Sequence, residues 1–380
     1  MFGFLYSNVS SDIPGNQGLF DQLEALKFLR SLADPLNGNL NSVTMWGWQS
    51  GGWSAGFHMF SPHSNQLFQQ AIMESGSALS PLMLFPEEGA AARFKKFAAF
   101  ANCGDMKEVE ASKDKEQEGG DKDKEPQKEI IYELRSDSVE CIKKLNTEQI
   151  IQVQEKVLAS KKDNGFMPVE DLRFFGGNPF DLVTKTDFGA VRSILLGTNS
   201  NEGGLLLTAM FSDVYPLLKG EPKPVSLNQL LEHAKQRGGN SNNGQVQLML
   251  PMFFRGVDKE NPVAVRNHLQ QLLKDALMVC LDLMLIDEYT QKLDKEAFYY
   301  LFDHRPGNSP YAEWLDGAQH ADELQFVMGY PFKASLKDHY KKGEPELSKK
   351  ILLMWGNFIK HGQVTFFWKL LFLNDQTKVN

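Results

Sequence analysis

The sequence predicts an α/β fold, and three observations carry that expectation. A short apolar strand, Val43–Trp46, runs into the turn Gly47-Trp48-Gln49-Ser50-Gly51, and a helix is expected from Gly52 to Phe60. Two further strand-like runs, Ser193–Leu196 and Ala297–Phe302, precede loops that hold an acid and a histidine. With 380 residues and 42% hydrophobic content, the chain is long enough to bury a large core. The formal charge of −8 argues against nucleic acid or an anionic membrane as a partner. No metal cluster, phosphate loop or dinucleotide fingerprint is legible, so no cofactor or metal is expected.

The first element has the form of a nucleophile elbow, in which a strand enters a Gly-x-Ser-x-Gly turn and a helix leaves it. Gly47 and Gly51 are the framing glycines, which leaves Gln49 where the serine should stand. A carboxamide has no ionisable hydroxyl or thiol, so a base cannot activate it for attack on an ester. A second match, Gly52-Trp53-Ser54-Ala55-Gly56, follows closely. It does not follow a strand, and Ser54 falls about 7 Å along the helix and about 140° around it from position 49. Ser50 is the better placed serine, and its expected part is to offer its backbone N–H as one oxyanion donor.

The wider context resembles the type-B carboxylesterase and cholinesterase family. The resemblance rests on Gly15-Asn16-Gln17-Gly18-Leu19-Phe20-Asp21-Gln22, on the elbow, and on Leu67–Ser77 with its Ala71-Ile72-Met73-Glu74-Ser75-Gly76-Ser77 ending. Gly197-Thr198-Asn199-Ser200-Asn201-Glu202-Gly203 is similar to the family's acid loop, and Trp314–Leu324 to its histidine loop. Tyr300-Leu301-Phe302-Asp303-His304-Arg305-Pro306 leans towards the cholinesterase side. The resemblance implies an α/β-hydrolase fold with a mostly parallel central sheet flanked by helices, truncated at its N-terminal side. It implies Glu202 as the triad acid and His320 as the base, in the order nucleophile, acid, base. His58, His63 and His233 lie outside these contexts and are expected to serve packing or the surface.

The remaining elements follow in chain order. Asn8-Val9-Ser10 is a glycosylation sequon with Asn8 as acceptor. Three cysteines are an odd count. The resemblance implies a disulfide-closed loop between Cys103 and Cys141, and it matches Cys280 to a family cysteine whose partner lies beyond the point where this chain diverges. By itself Cys280 reads as a buried thiol in an apolar helix. Within that loop the run 108–129 is rich in lysine, glutamate and aspartate, and reads as a solvated insertion. Gly238–Gly244 is a polar loop, and Glu346–Gly362 reads as a helix.

The family-like domain is expected over residues 1–362 and a divergent tail over 363–380. The apolar run Val364–Leu373 has about ten residues, half of the roughly twenty that a membrane helix needs. Met1-Phe2-Gly3-Phe4 already reads as domain sequence, so no signal peptide is expected in this chain. An extracellular location is implied by the resemblance alone. The expected function is a pseudo-esterase that binds a small ester-like ligand or a protein partner. The alternatives are an active carboxylic ester hydrolase or a gene-model fragment.

Overall fold

The computed structural model of the protein describes residues 2–80, 84–110, 128–159, 165–171, 173–236 and 252–364. The strands among them are β1 (Thr44–Trp48), β2 (Gln70–Glu74), β3 (Gly104–Glu110), β4 (Lys128–Leu134), β5 (Ser193–Asn199) and β6 (Glu296–Phe302). The chain divides into two compact units. One comprises Met1–Gln22 and Leu84–Asp171, the other Leu23–Met83 and Leu172–Asn380.

The larger unit is built on a four-stranded sheet in the order β1-β2-β5-β6, parallel throughout. A parallel strand covered on both faces reads as an unbroken apolar run. Ser193-Ile194-Leu195-Leu196-Gly197-Thr198-Asn199 is such a run, and all seven residues of β5 are buried. The interior glycine of β5 is required by contact, because a Cβ on Gly197 would lie 2.2 Å from the Tyr300 ring on the neighbouring strand. The helices Ser50–Phe60, Cys280–Thr290 and Glu344–His361 belong to this unit. Ile72, Leu195, Phe326, Ile351, Trp355 and Phe358 form one of its cores. Another gathers Leu207, Phe211, Tyr215, Phe254, Trp314 and Leu315. The α/β class and the parallel sheet are thus as the sequence implied.

The smaller unit holds the antiparallel pair β3–β4, whose register runs from Gly104↔Leu134 to Glu110↔Lys128. Phe94 and Phe97 of the helix Glu87–Phe100 pack with Val153 and Val157 of the helix Thr147–Leu158. Cys103 and Cys141 are joined in a disulfide, with Cα atoms 5.6 Å apart. Asn8 is exposed, in a turn closed by the Ser7 N–H donating to the Ile13 carbonyl at 2.8 Å.

Several sequence expectations are corrected here. β1 does not stop at Gly47, since the ladder continues through Gly47↔Met73 and Trp48↔Glu74. The helix after it begins at Ser50 instead of Gly52. The ends of the charged run 108–129 are not free loop: Glu108 pairs with Ile130 and Val109 with Glu129. Residues 111–127 of that run, the polar loop 238–244 and residues 365–380 of the tail lie outside the described residues. Cys280 is exposed and free, not buried. Its helix turns Asp282, Leu285 and Tyr289 inward. That i, i+3, i+7 stripe leaves Cys280, Leu283 and Met284 on the outward face.

Candidate active site

In an open parallel sheet, ligand sites form beyond the carboxyl ends of the strands. Gln49 follows β1, Ser75 follows β2 and Glu202 follows β5 by three residues. Gln49 has φ 50° and ψ −115°, a conformation that L-residues rarely adopt. Its N–H donates to the Glu74 carbonyl at 2.8 Å, and its own carbonyl accepts from the Trp53 N–H at 2.9 Å. Glycines permit the turn to close this tightly. A Cβ on Gly47 would lie 2.0 Å from the Gly51 carbonyl oxygen, and one on Gly76 would lie 2.6 Å from that of Gln49. Ser50 is exposed at the first turn of the helix Ser50–Phe60, where amides have no intrahelical acceptor. Ser54 is half-buried inside that helix.

Glu202 and His320 are brought together across more than a hundred residues of sequence. His320 Nδ1 and Glu202 Oε2 are 2.6 Å apart, with Glu202 fully buried and His320 nearly so. The other carboxylate oxygen accepts from the Ser75 hydroxyl at 2.6 Å, the Asn199 N–H at 2.9 Å and the Asn199 side-chain amide at 3.1 Å. Burial would raise the Glu202 carboxyl. The His320 hydrogen bond and charge, the Ser75 hydroxyl and the Asn199 amide outweigh it and hold the group below its ordinary value. An ionised Glu202 accepts at Oε2, so in the neutral imidazole the His320 proton sits on Nδ1 and Nε2 is an acceptor.

The two loops that carry this pair are tied to each other. The Asn201 N–H donates to the Ala318 carbonyl at 2.9 Å, and the Ala318 N–H donates to the Ser200 hydroxyl at 3.0 Å. Behind Glu202 the fit is closed, since a Cβ on Gly203 would lie 1.8 Å from the Gln270 carbonyl oxygen. Tyr311 donates its hydroxyl to the His320 carbonyl at 2.5 Å.

Five more buried acids lie in the same unit, and one of them, Glu344, is held below its ordinary value, despite its burial, by the His304 hydrogen bond and the Gly307 and Lys341 N–H groups. Burial, and then the charge of Glu202, push Glu323 up to about 8, although the Asn199 amide donates to it at 2.5 Å. Burial lifts Glu74 to about 7, against hydrogen bonds from the Trp355 and Trp46 indoles. Burial likewise raises Asp282 to about 7 against a Ser77 hydrogen bond, and Asp322 to about 6. Among these six acids only Glu202 and Glu344 are held low, and each faces an imidazole, His320 for Glu202 and His304 for Glu344. Among the described residues, no group of three or more histidines, cysteines or acids could hold a metal ion.

A family model described as "Carboxylesterase family" matches residues 1–373. The chain belongs to the carboxylesterase family. It is 27% identical over 369 residues to an acetylcholinesterase of Bungarus fasciatus, covering 96% of this chain and 55% of that protein. It is 29% identical to a cholinesterase of Mus musculus, covering 95% of this chain and 54% of the relative. An acetylcholinesterase of Danio rerio is 27% identical, over 95% of this chain and 56% of its own length. The chain thus spans about half the length of these curated relatives.

Within this carboxylesterase-family frame, the structure joins Glu202 to His320 and places Gln49 at the tip of the turn, with Ser50 beside it. The elbow and the histidine loop meet through Trp48, whose ring centroid is 4.9 Å from that of His320 at an interplanar angle of 35°. Sequence reasoning missed this contact, as it missed Ser75, Asn199 and Glu323. Ser75 had a readable signal, since it directly follows an apolar strand and precedes glycine. Asn199 and Glu323 each lie three residues from a named site residue, but nothing in their spacing shows that they meet.

Proposed function

We propose that this chain is a pseudo-esterase, a carboxylesterase-family frame that keeps an acid–imidazole pair and has no attacking atom at the elbow. The observation that carries the reading is Gln49 itself. It occupies the strained tip of the turn, with φ 50° and ψ −115°, and it bears a carboxamide. A serine hydroxyl at that tip would lose its proton to the imidazole as it attacked a carbonyl carbon. The glutamine amide offers neither a nucleophilic oxygen of that kind nor a proton of suitable acidity. The site is therefore read as a binding surface for a small ester-like ligand or a protein partner. In this reading the chain works outside the cell, with Asn8 glycosylated in its exposed turn.

Ser50 favours a second reading, ester hydrolysis by a displaced nucleophile, because it is exposed and adjacent to Gln49. Labelling with a fluorophosphonate probe, followed by peptide mass spectrometry, separates the two. The expected result is an unmodified protein. A mass increment mapped to Ser50 or Ser54 would overturn the pseudo-esterase reading.

A further inference from the structure

Two nitrogens at the elbow are buried without a hydrogen-bond partner: the indole Nε1 of Trp48 and Nε2 of His320. They belong to rings whose centroids are 4.9 Å apart. Their chemistry is complementary. The indole N–H can only donate, and in the neutral imidazole, with its proton held on Nδ1 by Glu202, His320 Nε2 can only accept. An unmade hydrogen bond at a buried polar group is unfavourable, so the ring contact closes the site while leaving both groups in want of a partner. A hydroxyl is a group that serves both at once, because its oxygen accepts and its hydrogen donates. Neither nitrogen is reachable with the rings in contact, so one of them must turn. His320 is held by Glu202 at Nδ1 and by Tyr311 at its carbonyl, whereas the Trp48 indole N–H has no hydrogen bond to break when that ring turns.

We infer that Trp48 is a gate over His320, and that the gate opens for a small alcohol. The alcohol's hydroxyl donates to His320 Nε2 and accepts from the indole, and its alkyl chain lies on the indole face. Alkyl contact with the ring gives the alcohol an advantage over water, which would make the same two hydrogen bonds. The inference rests on the reading that Gln49 supplies no hydroxyl at this place. It also goes beyond that reading, because it names the atom that binds, the ligand class and the residue that controls entry.

The test uses the full chain labelled with 15N-histidine, with 1-propanol as the probe. Long-range 1H–15N spectra report the two ring nitrogens of His320 separately. On titration the Nε2 resonance is expected to move upfield and saturate, while Nδ1 stays in place. Acetone has a similar size and no hydroxyl proton, and it is expected to leave Nε2 unmoved. Trp48→Phe keeps a flat ring and removes the N–H, and should weaken propanol binding by about three- to tenfold, the worth of one neutral hydrogen bond. A Nε2 resonance that does not move, one that moves equally with acetone, or equal affinity in Trp48→Phe would each overturn the inference. None of these outcomes touches the pseudo-esterase reading, which a fluorophosphonate adduct alone would overturn.

Discussion

The backbone at Gln49 gives the sharpest test of the elbow, and the test is a comparison of Gln49→Gly with Gln49→Ala. Both substitutions delete the carboxamide and its contacts, so their difference isolates the Cβ. At φ 50° and ψ −115° a Cβ is strained, at a cost of about 1–3 kcal/mol, whereas glycine adopts such a conformation freely. Against this stands the larger unfolded-state entropy of glycine, about 0.4–1 kcal/mol. The balance makes the glycine variant more stable than the alanine variant by about 1 kcal/mol. At ordinary positions the sign is the reverse, with glycine less stable by roughly 0.5–1 kcal/mol. The assay is urea unfolding followed by far-UV circular dichroism and by tryptophan fluorescence, with coincident transitions required before midpoints are compared. An alanine variant as stable as the glycine variant, or more so, would refute the claim that the turn stores strain at this residue.

Further outcomes follow from the buried acids and their donors. Glu323 has its folded-state value raised to about 8, so the folded state binds the proton more tightly than the unfolded chain does. Its contribution to stability is complete below the unfolded value of about 4.5 and is lost as pH rises towards about 8. Glu323→Gln should therefore flatten the fall in urea midpoint between pH 5 and 8, and an unchanged slope would count against the assignment. Glu202 is held low, so its contribution has the opposite sign, present above the ordinary carboxylate value and lost only at acid pH. Ser75→Ala removes a buried hydrogen bond to that ionised carboxylate and should lower stability by about 1.5–3 kcal/mol, read from the same unfolding curves. A change below a few tenths of a kcal/mol would mean that Ser75 does not hold Glu202.

Much of the frame was legible because it is written in local chemistry. The apolar run at β5 marks a strand covered by neighbours, that at β6 a half-buried edge strand, and Gly47 marks a turn too tight for a Cβ. The motif contexts around Glu202 and His320 singled out both residues before any distance was known, and the structure places them 2.6 Å apart. The cysteine pair was legible through resemblance, and it is bonded. Where local pattern was ambiguous, the sequence reading failed. The helix around Cys280 has apolar residues on its buried and its exposed face and an acid, Asp282, among the buried ones, so periodicity could not say which face turns inward. The charged ends of the run 108–129 pair as strands because Ile130 and Ile131 beyond them extend a hairpin that composition alone hides.

Residue types by themselves determined that this chain carries an elbow with a carboxamide at its tip, an acid and an imidazole. Those are properties of single side chains and of short spacings, which survive without tertiary context. Only the tertiary structure decided what surrounds the acid and the base. The Ser75 hydroxyl, just past β2, and the Asn199 amides, at the end of β5, converge on Glu202, and Trp48 lies on the ring of His320. The Ser75–Glu202 and Trp48–His320 contacts join residues more than a hundred positions apart. They depend on the parallel register β1-β2-β5-β6 and on loop closure beyond the strand ends. Long-range pairing is set by the packing of the whole sheet, and no local segment of the sequence encodes it.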